Sequence, residues 1–146
     1  MIRVSPDPID LAELHKQAAD PSTGAVVVFV GVTRGETGGR LTTRLAYEAY
    51  ESMAARELES LKHQAAQRWP LTACRLVHRV GDVPVGEASV AVLAASAHRN
   101  EAFEAARWLI DTLKESVPIW KQEHYADGSK EWQHPAPVET LERGSP

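Results

Sequence analysis

An α+β domain with a mainly antiparallel sheet is predicted by three features of the sequence. Short apolar segments of strand character recur along the chain, two long segments of helical period lie between them, and the strands fall into two pairs joined by brief turn-rich connections. Tight pairs with few crossover helices favour antiparallel over parallel pairing. The chain has 146 residues, enough for one ordinary domain that buries its core without disulfides or a structural metal. No repeat, low-complexity block or composition shift divides it. The folded domain is expected over residues 1–132, with a loosely ordered tail over 133–146 that carries Pro135, Pro137 and Pro146.

The elements follow in the order α-β-β-α-β-β-α-β. Asp7 is the expected N-cap of the first helix, with Pro8 at its first position, an apolar stripe at Leu11, Leu14 and Ala18, and a stop near Asp20-Pro21. Ala25 to Val30 is β-branched and continuously apolar, as suits a central strand buried on both faces. Thr33 to Arg40 contains Gly35, Gly38 and Gly39 and is expected to be a loop. Leu41 to Tyr50 alternates as a half-buried strand does, with Leu41, Thr43, Leu45, Tyr47 and Ala49 on one face. From Ser52 to Trp69 the period becomes helical through Met53, Glu57, Leu58, Leu61, Ala65 and Trp69, and Pro70 ends the segment. Strands are expected near Ala73 to Val80 and Ala88 to Ala95, with turns between Gly81 and Gly86. Asn100 is the expected N-cap of a helix striped by Phe103, Ala106, Ile110, Leu113 and Val117 and ended by Pro118. Ile119 to Tyr125 is a short strand and Asp127-Gly128 a turn.

Composition excludes several classes of function. Sixteen Lys+Arg against 20 Asp+Glu leave a net charge of −4, which argues against nucleic acid as the main partner while leaving room for a local basic pocket. Cys74 is the single cysteine, so no internal disulfide and no cysteine-rich metal cage can form, and a reducing, cytoplasmic setting is expected. No apolar run, Ala25 to Val30 included, comes near the roughly 20 residues that span a bilayer, so no membrane association is expected. The six histidines show no close pair at helical ligand spacing, so no metal site is expected. Neither a Gly-Xaa-Ser-Xaa-Gly elbow nor a phosphate loop ending in Gly-Lys-Ser/Thr occurs.

The remaining chemistry is cationic. His98-Arg99 stands between a strand end and a helix start, where unpaired N–H groups and the helix dipole favour an anion such as phosphate; the alternative is a solvated arginine beside a histidine that packs at the helix entrance. Arg34 follows a buried strand in a glycine-bearing loop, either projecting into a site or lying on the surface beside a turn. Two of the five lysines, Lys114 and Lys121, flank the break at Pro118, which can turn both toward one cavity. A lysine near other cations or partly desolvated has a lowered pKa and can transfer protons or attack near neutral pH. In an extended segment Lys121 and Glu123 share a face, so Glu123 either positions the lysine or forms an ordinary exposed ion pair.

The phrases Phe29-Val-Gly-Val-Thr-Arg34, Leu45-Ala-Tyr-Glu-Ala-Tyr50, His78-Arg-Val-Gly81, Ser96-Ala-His-Arg99 and Asp111 to Glu123, followed by Asp127-Gly128 and Trp132, occur in consistent order over residues 5–132. In these the chain resembles the catalytic large subunit of molybdopterin synthase. The resemblance implies an α/β hammerhead-type fold and a sulfurtransferase that works without a cofactor or metal. The reaction implied converts cyclic pyranopterin monophosphate (precursor Z) to molybdopterin by installing two dithiolene sulfurs. Its implied partners are a second copy of the chain and a small ubiquitin-like carrier ending in a Gly-Gly thiocarboxylate, together a heterotetramer. Carried over by motif, Arg34, His98 and Arg99 bind the pterin phosphate, with Val32 and Thr33 in the same loop. Lys114 and Lys121 sit where the carrier tail meets substrate, as catalytic and substrate-binding residues, and Gln122 and Glu123 complete the pocket. Gln122 stands where a basic residue is expected in this family. Two other functions fit the residues alone: a different small phosphate-handling enzyme, or a non-catalytic dimeric binding scaffold.

Overall fold

The computed structural model describes residues 1–133. A four-stranded sheet takes β1 (Ile2–Ser5), β5 (Leu71–Arg79), β7 (Ala88–Ser96) and β2 (Ala25–Val32) in the order β1-β5-β7-β2. The β5–β7 and β7–β2 pairs are antiparallel and β1–β5 is parallel. A second sheet orders β3 (Glu36–Thr37), β4 (Arg40–Ala49), β8 (Ile119–Tyr125) and β9 (Lys130–Gln133), all antiparallel, and β6 (Gly81–Pro84) also pairs with β4. The α+β class and the mainly antiparallel pairing are therefore those the sequence predicts.

Helices α2 (Glu51–Arg68) and α3 (Arg99–Ser116) cover one face of the first sheet, where Leu58, Leu61 and Ala65 of α2 and Leu109, Ile110 and Leu113 of α3 bury against Leu76, Val90 and Val92. The short helix α1 (Leu11–Lys16) covers the other face through Leu14, joined by Ala18, against Val77, Ala91, Leu93 and Ala95. Successive β7 residues thus enter opposite cores, as the two-residue strand period dictates.

The doubly buried strand is β7, not β2. Every residue of β7 after Ala88 is buried, whereas β2 is the sheet's edge and leaves Val28 and Phe29 each 37% and Val32 49% exposed. The β-branched run of β2 reflects strand propensity, and only one lateral edge of it is paired.

Several boundaries move for local reasons. Asp10, rather than Asp7, caps α1, its carboxylate accepting the Glu13 N–H at 3.0 Å, so Pro8 precedes the helix. His98, rather than Asn100, is the N-cap of α3, and Phe103 is 61% exposed while Ala102, Ala105 and Leu109 are buried. In α2, Met53 lies outside the stripe and Ala54 inside it. A register shift between Thr42 and Arg44 buries Thr42 on the same side as Leu45 and turns Leu41 and Thr43 to solvent. Four strands lie outside the expected elements: β3 forms within the expected loop Thr33 to Arg40 and β6 within the expected turns Gly81 to Gly86, both by pairing with β4, and β1 and β9 are further additions. Strand β1 is too short to show a period, and β9 sets Gln133 opposite Lys121. Residues 134–146, where the tail is expected, lie outside the described residues.

Candidate active site

The second sheet carries Lys121 and Glu123 on one face of β8. Their ladder partners on β4 are Tyr47 and Leu45, so all four side chains project the same way. Facing them, the last turn of α3 presents Lys114, and the end of β2 leads through Val32 and Thr33 to Arg34. The Thr33 backbone is pinned on both sides, its N–H donating to the Glu87 carbonyl at 3.1 Å and its carbonyl accepting the Gly86 N–H at 2.9 Å. Its side chain is 2% exposed and its buried hydroxyl has no partner, so Thr33 anchors the loop from below.

These elements enclose two adjoining cavities. The larger, termed the outer cavity, is about 260 Å³ and is lined by Val32, Arg34, Thr37, Lys114, Lys121 and Glu123 among others. The smaller, termed the inner cavity, is about 90 Å³ and reaches His78, Ile110, Leu113 and Val117. Tyr47, Ser89, Val90, Lys114 and Lys121 line both, so the two lysines stand on the partition. Burial, then the neighbouring charge of Lys114, pushes the Lys121 ammonium below its ordinary value of 10.5, with Arg34 adding to the shift and Glu123 opposing it.

Glu123 does not form an ion pair with Lys121 within 4 Å; no such pair occurs among the described residues. It is 5% exposed, and its Oε2 accepts from Thr37 Oγ1 and Thr42 Oγ1, both at 2.6 Å, while Oε1 accepts from Gln133 Nε2 at 3.1 Å. Burial works to raise this carboxyl, but the Thr37 and Thr42 hydroxyls and the charge of Lys121 outweigh it and hold it below its usual value of 4.5. Glu123 therefore braces the wall and contributes negative charge without being free to bind substrate on both oxygens.

Gln122 projects from the opposite face of β8, where its Oε1 lies 3.1 Å from His124 Nε2. It lines neither lysine cavity. Strand alternation separates it from both of its neighbours in sequence.

His98 and Arg99 are also apart from the lysines within one chain. They line a separate surface hollow with Gly24, Ala25, Ala97 and Phe103. Gly24 permits that arrangement, since a Cβ there would meet the Ala97 carbonyl oxygen at 2.2 Å. The β2–β7 register puts Ala25 opposite Ser96 and Val32 opposite Ala88, so this hollow and Arg34 lie at opposite ends of β2, about 23 Å apart for strand geometry.

His78, Tyr47 and Ser89 belong to the site although neither charge nor spacing marks them as functional. The signs available are the strand period, which aims Tyr47 the same way as Leu45, and the family phrases in which Tyr47 and His78 stand. Among the described residues no group of three His, Cys, Asp or Glu is placed to hold a metal ion. No helix among them is long and apolar enough to cross a membrane.

The family model described as MoaE protein matches residues 4–116. A molybdopterin synthase catalytic subunit from Culex quinquefasciatus is 43% identical over 134 residues, covering 90% of this chain and 85% of that protein. One from Drosophila erecta is 46% identical over 133 residues and 90% of this chain, which spans only 36% of the Drosophila protein's length. Among solved structures, molybdopterin synthase from Staphylococcus aureus superposes with a TM-score of 0.84 at 35% identity, covering 89% of this chain and 94% of that one.

Proposed function

The chain belongs to the MoaE family, and from that premise we propose that it is the catalytic subunit of a molybdopterin synthase, transferring sulfur from a thiocarboxylated carrier protein to cyclic pyranopterin monophosphate. The observation that carries this reading is the pair Lys114 and Lys121 on the partition between two cavities, with Arg34 lining the larger one. Opening a cyclic phosphate while installing sulfur requires fixed positive charge near the phosphate, a held thiocarboxylate and groups that move protons. Arg34 supplies the first with a planar fork suited to phosphate oxygens. Lys121, whose amine is released more readily than an ordinary lysine's, supplies the last, and Lys114 meets the carrier tail.

His98 and Arg99 join this site only from a second copy. The open edge of β2, with Val28, Phe29 and Val32 partly exposed and Phe103 exposed near one end, is suited to pair with itself about a two-fold axis. Antiparallel pairing of two β2 edges sets the Ala25 end of one against the Val32 end of the other. It brings the partner's phosphate-seeking cations toward Arg34. The proposed assembly is thus a homodimer with two composite sites, each served by a carrier, giving a heterotetramer.

The reaction is tested with purified chain, precursor and thiocarboxylated carrier. Molybdopterin formed only when all three are present supports the assignment. Turnover of a simple phosphate or acyl phosphate without carrier favours a different phosphate-handling enzyme, and binding without turnover a scaffold.

A further inference from the structure

The inner cavity has a base that the sulfur-transfer reading does not use. His78, on β5, is 6% exposed, and its Nδ1 lies 2.8 Å from the Arg79 carbonyl oxygen. A carbonyl only accepts, so Nδ1 carries the hydrogen and donates, which leaves Nε2 as the ring's acceptor. The ring is further fixed by Tyr47, edge to face at 5.1 Å between centroids. It lines the same cavity as Lys114 and Lys121, and among the described residues no carboxylate lines that cavity. The other groups facing it are the Tyr47 hydroxyl from β4, the Ser89 hydroxyl from β7 and the Gln133 amide from β9. Arg34 and Glu123 lie on the outer side.

Two cations beside a neutral imidazole with one free lone pair define a donor–acceptor arrangement. The cavity, at about 90 Å³, has room for a bridging water, which needs only about 10–15 Å³. We propose that His78 is a positioning residue of the site: its Nε2 accepts a hydrogen bond from a lysine ammonium through one bridging water, and so fixes the direction in which that lysine meets substrate. This deepens the sulfur-transfer reading and rests on it. The imidazole acts as an acceptor, not as a proton store, because burial and then the two lysine charges, against the pull of the Arg79 carbonyl, lower its pKa to about 4.

Two substitutions separate acceptor from packing. His78→Phe keeps a ring against Tyr47 and removes the acceptor, whereas His78→Gln places an amide oxygen near the position of Nε2. The measurement is an NMR titration of the lysine side chains in the whole protein without substrate, beside turnover and thermal melting. Loss of an acceptor disfavours the charged ammonium, so His78→Phe is expected to move a lysine titration downward, on the order of half a pH unit, and to lower kcat about tenfold. His78→Gln is expected to restore both. Should His78→Phe not fold, His78→Asn, whose amide can still donate to Arg79 but offers nothing at Nε2, is expected to show the same loss. An unmoved lysine titration in a folded acceptor-less variant overturns the proposal, as does a folded His78→Gln protein as impaired as His78→Phe. The titration needs no substrate, so wild-type protein that transfers no sulfur would end the functional reading while leaving the lysine–imidazole contact measurable.

Discussion

Thr37 Oγ1 donates to Glu123 Oε2 across 2.6 Å, tying the hairpin that follows Arg34 to the strand that carries Lys121. With Thr42 on the same oxygen and Gln133 on the other, one carboxylate joins β3, β4, β8 and β9 behind the outer cavity. The wall of the site therefore depends on a residue that is itself fully engaged.

Glu123→Gln should loosen this brace. Hydrogen bonds to a charged group contribute roughly 1.5–3 kcal/mol each, so the loss in stability is expected to be on the order of 2 kcal/mol. Chemical denaturation measures it. Because the folded carboxyl lies below its unfolded value of 4.5, its contribution is present above that pH and disappears as the pH falls through the folded value. The stability difference between wild type and Glu123→Gln should accordingly shrink on acidification. A difference that persists unchanged at low pH would assign the effect to packing.

The coupling between the lysines can be read from titration. Lys114→Met removes the like charge that helps to hold the Lys121 ammonium down, so the Lys121 titration should move upward toward its ordinary value. Side-chain NMR over the alkaline range checks this. A downward or absent movement would mean that the two ammonium groups do not share the partition.

A composite site predicts complementation. Arg34→Ala and Arg99→Ala should each weaken precursor binding by about tenfold or more, the expected cost of one charge-assisted contact. Subunits of the two variants, mixed so that they exchange, should recover activity, because each mixed dimer contains one site with both arginines intact. If His98 and Arg99 served the site of their own chain, each mixed dimer would still hold one impaired site of each kind and nothing would be recovered.

Sulfur delivery should not depend on Cys74. The thiol is buried in the core between α2, α3 and β5, and burial pushes its pKa up to about 11, unlike a thiolate poised to carry persulfide. Cys74→Ala should retain turnover with a packing loss of roughly 1 kcal/mol. A carrier lacking its terminal glycine should support none. Loss of turnover in stably folded Cys74→Ala protein would overturn this route.

Part of the candidate site is legible in the sequence because Arg34 and the two lysines fall beside breaks marked by Gly35 and Pro118. Arg34, Lys114 and Lys121 sit at element ends, where long cationic side chains reach a shared cavity. Adjacency in a motif does not place Gln122 on the face of Lys121, since the strand period sends it to the other face while Glu123 returns to the face of Lys121. The edge position of β2 is not legible, because composition registers the apolarity of a strand and not whether both of its lateral edges are paired. For the same reason a motif reading joins His98 and Arg99 to Arg34 while one chain holds them at opposite ends of a strand. His78 is hidden by its type, as one histidine in an apolar strand looks the same whether it fills a core or faces a cavity.

On the proposed function, Lys121, one of the two lysines on the partition, is the group that moves protons during sulfur transfer. Single-turnover assays with saturating precursor and thiocarboxylated carrier, comparing wild type with Lys121→Ala, test it most directly. Wild type should form the dithiolene product, while the folded variant, shown by calorimetry still to bind the carrier, should be slower by at least about a hundredfold, the usual scale of a lost proton-transfer group. Near-wild-type turnover by a folded Lys121→Ala protein would contradict the assignment.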